Sequence, residues 1–194
     1  SSADPFNYTQ SVIAFDGIRV TPPPGAFIQA SAASEEAMAA LVIEGVGKKA
    51  KRVADLYCGT GTFALRLAKK ARVLAVEGDA ALLAALEKAA RAGQGTKPIT
   101  TLRRDLDRLP LVAPELKEFD AVVFDPPRGG ARSQAEELAL STVKRVVAVS
   151  CNPATLARDV KILLDAGFQL TRVAPVDQFV FSSHIECVAT LQRR

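Results

Sequence analysis

The sequence has no tryptophan, one methionine, one histidine and three cysteines among its 194 residues. The cysteines Cys58, Cys151 and Cys187 are far apart, odd in number and contain no CxxC pair. A zinc site or iron–sulfur cluster formed by this chain alone is therefore not expected, and we predict no metal. Isolated cysteines of this kind are typical of reduced thiols in the cytoplasm.

Long hydrophobic runs are also missing. The longest apolar stretches, such as 121–124 and 146–149, are the size of single strands. A membrane span needs about 20 apolar residues, so we expect a soluble, cytoplasmic protein without membrane contact. No basic-then-apolar leader is present, and the opening Ser1-Ser2-Ala3 is typical of a fragment of something longer.

The composition that is present favours a folded domain. Hydrophobic residues make up 48% and charged residues 24%, which excludes an intrinsically disordered or fibrous chain. The length fits one domain. The net charge of +4 and a pI near 9.1 are only weak indications of a nucleic-acid partner.

The first 30 residues differ in pattern from the rest. Two short β-like runs, 11–15 and 18–21, flank Asp16-Gly17, and this dipeptide predicts a tight hairpin. We interpret residues 1–30 as an N-terminal segment with a β-hairpin, left from a preceding domain, and residues 31–194 as the main domain.

From Ser31 onward, strand-like and helix-like segments alternate. The pattern predicts helices at 31–47, 61–70, 80–92, 133–142 and 153–166, and strands at 52–57, 72–76, 99–102, 119–124, 145–150, 169–175 and 185–191. Such alternation indicates an α/β fold with a doubly wound, mostly parallel sheet. Because no helix separates the final two strands, we expect the last strand to be antiparallel.

A glycine-containing loop follows the first strong strand. Gly59 and Gly61 allow a tight turn beside a helix N-terminus, where the backbone can approach a ligand. Glu77 ends the next strand and could accept hydrogen bonds from both ribose hydroxyls. These features fit either a dinucleotide or S-adenosylmethionine, although the third glycine of a dinucleotide motif is absent. We expect Cys58 in this loop to face the core.

Two further loops follow later strands. Asp125-Pro126-Pro127 should form a rigid loop at the carboxyl end of one strand, where open α/β sheets bind ligands. Cys151 precedes Pro153 at a predicted helix start, a position that lowers a thiol pKa and favours a nucleophile. In the last strand, Glu186 is an acid among apolar residues, which suggests either a function or a salt bridge. Cys187 is expected in the core.

Taken in order, these segments resemble a known family, the S-adenosylmethionine-dependent RNA (uracil-5-)methyltransferases. Members of this family form 5-methyluridine in ribosomal and transfer RNA. The resemblance covers about residues 18–194, and the loops at 125–130 and 150–153 are its most specific part. The matching motifs are Phe27–Gln29, Asp55–Gly61, Val76–Glu77, Asp125–Gly130, Ser150–Pro153 and His184–Glu186.

The resemblance implies a Rossmann-like methyltransferase domain at 31–194, with S-adenosylmethionine as cofactor and RNA as partner. Cys151 corresponds to the nucleophile and Glu186 to the base, while Asp125 also holds the target base, a uridine flipped out of its stack. Ribosomal RNA is preferred over transfer RNA, and a monomer is expected. The implied cofactor residues are Gln29, Tyr57, Gly59, Gly61, Thr62, Glu77, Asp105 and Asp125.

The sequence departs from the family pattern at two peripheral places. Ser31 replaces the usual asparagine, and 92–95 replaces an Asn-rich stretch. The N-terminal RNA-binding barrel and middle domain of the family are not part of this sequence. Three alternatives stay open: methylation of a base nitrogen, an inactive cofactor-binding RNA-binding module, and a nicotinamide dehydrogenase, which the missing third glycine disfavours.

Overall fold

The computed structural model describes residues 12–26, 32–177 and 185–193, in which nine strands and six helices are found. The strands are β1 Ile13–Phe15, β2 Ile18–Val20, β3 Arg52–Leu56, β4 Arg72–Glu77, β5 Ile99–Arg103, β6 Ala121–Phe124, β7 Arg145–Ser150, β8 Gln169–Asp177 and β9 Ile185–Gln192. The helices are α1 Ala32–Val46, α2 Ala64–Leu67, α3 Ala80–Ala92, α4 Ala113–Leu116, α5 Arg132–Leu140 and α6 Pro153–Asp165.

The main sheet has seven strands in the order β5-β4-β3-β6-β7-β9-β8. Strands β3 to β7 pair in parallel, whereas β9 runs antiparallel to both β7 and β8. The chain moves outward from β3 to β5 and then returns to the other side of β3 as β6. The carboxyl ends of β3 and β6 therefore form the crevice in which open sheets bind ligands.

Both faces of the sheet are covered by helices. Helices α1 to α3 and the β1–β2 hairpin pack on one face, and α4 to α6 pack on the other. Within β3, Val53 belongs to the first hydrophobic cluster and its neighbour Ala54 to the second. Alternating side chains of a strand point to opposite faces, so a strand buried on both sides reads as a continuous apolar run. The predicted doubly wound sheet with an antiparallel last strand is confirmed.

The Asp-Gly hairpin is also confirmed. Asp16 and Gly17 both have positive φ, 50° and 84°, as a two-residue type I′ turn requires. The hairpin is tied to the main domain by Arg66 of α2, which is 1% exposed, ion-paired to Glu35, and stacked 4.9 Å from the Phe15 ring centroid. That residues 1–30 are left from a preceding domain stays a prediction.

Some element boundaries differ from the sequence-based prediction. The helix predicted at 61–70 is limited to the four residues of α2, because Gly61 has a φ of 96° and cannot belong to a helix. Helix α4 was not predicted, since one turn is too short to show a periodic pattern. Ser34, whose hydroxyl is suited to cap a helix N-terminus, instead lies buried inside α1.

Two kinds of feature are absent from the described residues. None of their helices combines the length and the apolar character that crossing a bilayer requires. Across the same three ranges, no three His, Cys, Asp or Glu side chains are grouped so that they could hold a metal ion.

Candidate active site

The loop between β3 and α2 adopts a conformation that depends on its glycines. Gly59 and Gly61 have φ values of 54° and 96°, and Tyr57 is also left-handed at 57°. A Cβ at Gly61 would lie 2.4 Å from Leu86 Cδ1, so only glycine fits this close contact with α3. At Gly59 a Cβ would meet no atom within 4 Å. The backbone at Gly59 therefore faces open space, as a ligand-binding loop requires.

Glu77 joins the end of β4 to this loop. Its Oε2 accepts a hydrogen bond from the Gly59 amide at 3.0 Å, and its Oε1 accepts one from the Asp79 amide at 2.9 Å. A carboxylate has about four acceptor positions, so each oxygen can still accept another donor. Asp105 lies beside this turn, with its Cα 3.6 Å from the Cβ position of Gly78. Glu77 and Asp105 thus occupy neighbouring positions at the ends of β4 and β5.

A cleft of about 180 Å³ runs along the loop. Larger grooves lie elsewhere on the domain, so the chemistry of this cleft rather than its size marks it as a candidate site. It brings together four of the predicted cofactor residues, namely Tyr57, Gly59, Thr62 and Asp125. Glu35 of α1 also lines it and was not predicted from the sequence. Gln29, predicted to bind the cofactor, lies outside the described residues.

Tyr57 is held in its unusual backbone conformation by a side-chain contact. Its hydroxyl donates a hydrogen bond to Asp107 Oδ1 at 3.0 Å, and burial together with this carboxylate raises the pKa of Tyr57. Positive φ in a non-glycine residue is strained and persists where the surroundings enforce it. The strain lies at the carboxyl end of β3, next to the cleft.

The three predicted catalytic residues come together at the same edge of the sheet. Asp125 directly follows β6, and its amide donates to the Leu56 carbonyl of β3 at 3.2 Å. On the other side of β6, Ser150 of β7 is paired with Cys187 of β9. The next position on these antiparallel strands places Cys151 and Glu186 beside each other. The topology thus brings Asp125, Cys151 and Glu186 into one crevice.

The electrostatics of this crevice are dominated by carboxylates. Burial and the charge of Glu186 raise the pKa of Asp125 to about 7. Glu186 is 5% exposed, and burial raises its pKa as well. A carboxyl group with a raised pKa is suited to proton transfer near neutral pH. The same groups disfavour further negative charge close to them.

For Cys151, the predicted direction of the pKa shift is wrong. Burial raises the pKa of this thiol, the charges of Glu186 and Asp125 add to the rise, and the Arg128 guanidinium lowers it. The start of α6 is capped by Asn152, whose Oδ1 accepts from the Ala154 amide at 3.1 Å. The helix amides are therefore directed at the cap rather than at the thiol, and Arg128 is the nearby cation. The sequence analysis did not single out Arg128.

A further carboxyl group, Asp55, lies behind the crevice and was not predicted as a site residue. It is fully buried at the end of β3, and neither oxygen has a hydrogen-bond partner of acceptable geometry in the described residues. Burial and the Asp125 charge raise its pKa well above the usual range, with the Ala64 amide acting in the opposite direction. Burial therefore favours the neutral form of Asp55, which contributes a polar floor between the glycine loop and Asp125.

The loop after β6 is fixed to the beginning of α6. Asp159, which is 1% exposed, accepts a hydrogen bond from the Ala131 amide at 2.6 Å. Asn152 Nδ2 donates to the Arg128 carbonyl at 3.1 Å. The loop that carries Asp125 and the segment that carries Cys151 are thereby joined by side-chain contacts. Neither contact could be predicted from the sequence, because they join residues more than twenty positions apart.

The three cysteines have different environments. Cys58 is 6% exposed and belongs to the hydrophobic core, as predicted. Cys187 is only partly buried and packs against the other cluster, so its assignment to the core is correct only in part. Cys151 is partly exposed at the crevice. Among these thiols, Cys151 alone is both accessible and adjacent to Asp125 and Glu186.

The raised pKa of Asp125 predicts how stability depends on pH. The unfolded chain loses this proton near pH 4, whereas the folded chain holds it until about pH 7, so stability falls as pH rises between these values. The slope from one such group is at most about 1.4 kcal/mol per pH unit. We expect Asp125→Asn to flatten the profile measured by urea unfolding from pH 5 to 7. The exposed control Asp165→Asn should keep the native slope, and an equally steep profile in Asp125→Asn would contradict the assignment.

Comparison with known proteins gives a consistent result. Residues 16–194 match the sequence profile of the family described as tRNA (Uracil-5-)-methyltransferase. An RNA methyltransferase of Rhizobium meliloti is 61% identical over 93% of this chain and 43% of its own length. The 23S rRNA (uracil(1939)-C(5))-methyltransferase RlmD of Pseudomonas fluorescens is 43% identical over 87% of this chain and 38% of its own. This chain therefore spans less than half of these relatives.

A solved structure agrees with these matches. Pyrococcus abyssi tRNA (uracil-54, C5)-methyltransferase, in complex with S-adenosyl-L-homocysteine, superposes with a TM-score of 0.79 at 27% identity. The superposition covers 93% of this chain and 44% of that one. Because the family profile matches residues 16–194, nearly the whole chain, the chain belongs to the tRNA (uracil-5-)-methyltransferase family.

Proposed function

We propose that this domain is the catalytic part of an RNA methyltransferase that transfers a methyl group from S-adenosylmethionine to C5 of a uridine in RNA. The observation that carries the proposal is the convergence of Cys151, Glu186 and Asp125 beside a glycine loop. Relatives named as uracil-C5 methyltransferases support the substrate atom. The protein would act in the cytoplasm as a monomer.

The cofactor fits the residues present. Open space beside Gly59 and the free acceptor positions of Glu77 suit a ribose and its neighbouring groups. The carboxylates around the cleft favour a cationic ligand, and S-adenosylmethionine carries a sulfonium and an ammonium group. When bound, it supplies the electrophilic methyl group. Tyr57, Gly59, Thr62, Glu77 and Asp105 would hold it, with Gln29 and Gly61 completing the set.

Cys151 would supply the nucleophile. C5 of uracil is too weakly nucleophilic to accept a methyl group directly. Addition of the Cys151 thiolate forms an S–C6 bond and shifts the C5=C6 electrons into an enolate, whose C5 can then accept the methyl group. Because burial and two carboxylates raise the thiol pKa, the proton of Cys151 must pass to an acceptor as the uracil binds, and the ionised form of Asp125 can take it. Among the described residues, Arg128 is the charged group that favours the thiolate.

Glu186 would complete the reaction as the base. After methylation, C5 still carries its original proton. Glu186 takes that proton, the C5=C6 double bond re-forms, and the S–C6 bond breaks to release Cys151. A buried carboxylate with a raised pKa is a stronger base than an exposed one, so the environment of Glu186 suits this step.

Asp125 would orient the target base. It is held at the end of β6 by its backbone hydrogen bond to Leu56 and lies near both Glu186 and the cofactor cleft. With a pKa of about 7 it is partly protonated at neutral pH, so it can either donate to a carbonyl or accept from an imide N–H. A uridine must leave its stack to enter this crevice. Relatives act on ribosomal and on transfer RNA, and we favour ribosomal RNA.

The experiment that tests the proposal uses RNA in which 5-fluorouridine replaces uridine. Fluorine at C5 cannot be removed as a proton, so the S–C6 bond should survive denaturing electrophoresis. We expect the full-length protein with S-adenosylmethionine to form such an adduct with ribosomal RNA fragments and not with transfer RNA. Absence of any adduct, with methyl transfer to ordinary RNA intact, would instead indicate methylation of a base nitrogen.

A further inference from the structure

The amino-terminal edge of the sheet, opposite the crevice, carries a concentration of positive charge. A groove of about 610 Å³ lies where α1, α4 and the start of β7 meet. Five basic residues line it: Lys48, Lys49, Lys117, Lys144 and Arg145. Asp120 is the one acidic residue in its lining, and its Oδ2 already accepts hydrogen bonds from the backbone amides of Lys51 and Arg52.

The positive charge continues along the same edge. A second groove of about 620 Å³ is lined by Lys51, Arg52, Arg72 and Lys97, at the starts of β3, β4 and β5. A smaller depression connects the two grooves, because it is lined by Arg52 and Arg72 of the second groove and by Phe119 of the first. In this second group, Arg52 is paired with Glu118 at 2.8 Å. We call the combined surface, lined by these nine cations, the basic edge.

The charge of the molecule is strongly segregated. The basic edge contains nine of the 25 basic residues and two of the 21 acidic ones, a balance of +7, whereas the chain as a whole carries +4. All other residues together therefore sum to −3. Among the described residues, no ion pair or side-chain hydrogen bond satisfies Lys48, Lys49 or Lys117. A surface shaped only for solubility mixes both signs, because like charges repel one another.

The geometry matches a polyanion. The basic edge crosses five parallel strands spaced about 4.8 Å apart, so it extends for about 19 Å. That length is sufficient to contact several consecutive phosphates of one RNA strand. Lys117 follows α4, and Lys48 and Lys49 follow α1. All three lysines are exposed, so their ammonium groups can reach a ligand in the groove.

We propose that the basic edge binds the phosphate backbone of the substrate RNA at a site remote from the target uridine. The inference rests on the proposed function, since it assigns the second contact to the same RNA. The crevice is one strand length away, about 16 Å, a distance that a folded RNA larger than this domain spans easily. The edge contributes affinity without reading sequence, as phosphate contacts do.

The test compares two triple variants of the full-length protein. Lys48→Gln, Lys49→Gln and Lys117→Gln together remove three charges from the basic edge. The matched control combines Lys88→Gln, Arg91→Gln and Lys161→Gln, which removes three exposed charges from α3 and α6. Binding to a structured ribosomal RNA fragment and to a short stem–loop is measured over a range of salt concentrations, together with S-adenosylmethionine affinity and adduct formation with the stem–loop.

For the basic-edge variant we expect about tenfold weaker binding to the structured RNA. We also expect the slope of log Kd against log salt to fall by about 2 to 3, since each lost phosphate contact reduces it by about 1. Stem–loop adduct formation and cofactor affinity should match the control. Equal salt slopes in the two triple variants would overturn the inference.

The two proposals fail in different ways. If the native protein forms no adduct with any 5-fluorouridine RNA, the proposed chemistry fails, while the salt slopes of the same samples still report on the basic edge. If the adduct forms normally with both RNAs and the two triple variants bind alike, the basic edge alone is refuted.

Discussion

Replacing Cys151 by alanine should abolish methyl transfer and leave cofactor binding unchanged. The thiol is the group that forms the bond to C6 in the proposed reaction, and without it C5 is not activated. Removing a nucleophile from a cooperating set costs about 10⁴-fold or more in turnover. Because Cys151 is partly exposed, its removal leaves the packed core intact. Transfer of tritium-labelled methyl groups to RNA and calorimetric titration with S-adenosylmethionine measure the two effects.

The other two cysteines provide the controls. Cys187→Ala removes a partly buried thiol one residue from Glu186, and Cys58→Ala removes a core thiol in the glycine loop. Both should retain methyl transfer, although Cys58→Ala should lose about 1 kcal/mol of stability through its small cavity. If Cys151→Ala remained active, a base nitrogen would be the better candidate for the accepting atom. Loss of S-adenosylmethionine binding in Cys151→Ala would contradict the assignment of Cys151 to the reaction with RNA alone.

Replacing Glu186 by glutamine should stop the reaction at a later point. The amide has nearly the same shape but cannot take the C5 proton, so the methylated RNA should stay bonded to Cys151. We expect turnover to fall by about 10² to 10⁴-fold and a covalent complex to accumulate on ordinary uridine RNA. Denaturing electrophoresis with labelled RNA would detect that complex, and mass spectrometry would show the extra methyl group.

This result distinguishes a base from a structural acid. The surface variant Glu136→Gln, 53% exposed in its side chain, serves as the control and should react as the native protein does. A Glu186→Gln protein that unfolded at lower temperature without accumulating adduct would indicate a structural role for the carboxyl group. Native turnover in this variant would place the base elsewhere in the crevice.

Much of the fold could be predicted because its signals are local. The hairpin follows from Asp16-Gly17, and the alternation of apolar strands with helices ending at glycines predicts the doubly wound sheet. Helix α4 was missed because four residues give no periodicity. The length of α2 was overestimated because Gly61 has a positive φ and cannot be part of a helix, and the residue types around it do not reveal this conformation.

The candidate site was predictable in its residues but not in its electrostatics. Asp125, Cys151 and Glu186 stand out as strand-end or intrastrand polar residues, and the topology does bring them together. The thiol pKa was predicted in the wrong direction, because burial raises it and the charges of Glu186 in β9 and of Asp125 after β6 add to the rise. Asp55 and Arg128 were overlooked for the same reason. Gln29 lies outside the described residues, so its predicted role in cofactor binding stays a prediction.

The attachment of the loop after β6 to α6 has a consequence for how this domain can be altered. Asn152 serves two purposes with one side chain, since its Oδ1 caps the helix and its Nδ2 holds the Arg128 carbonyl. Asp159 secures the same loop about two turns further along α6. A loop transplanted from a relative without the matching part of α6 would therefore lack these hydrogen bonds. The loop after β6 and the start of α6 therefore have to be exchanged together. A change of substrate that reshapes one of these segments requires a matching change in the other.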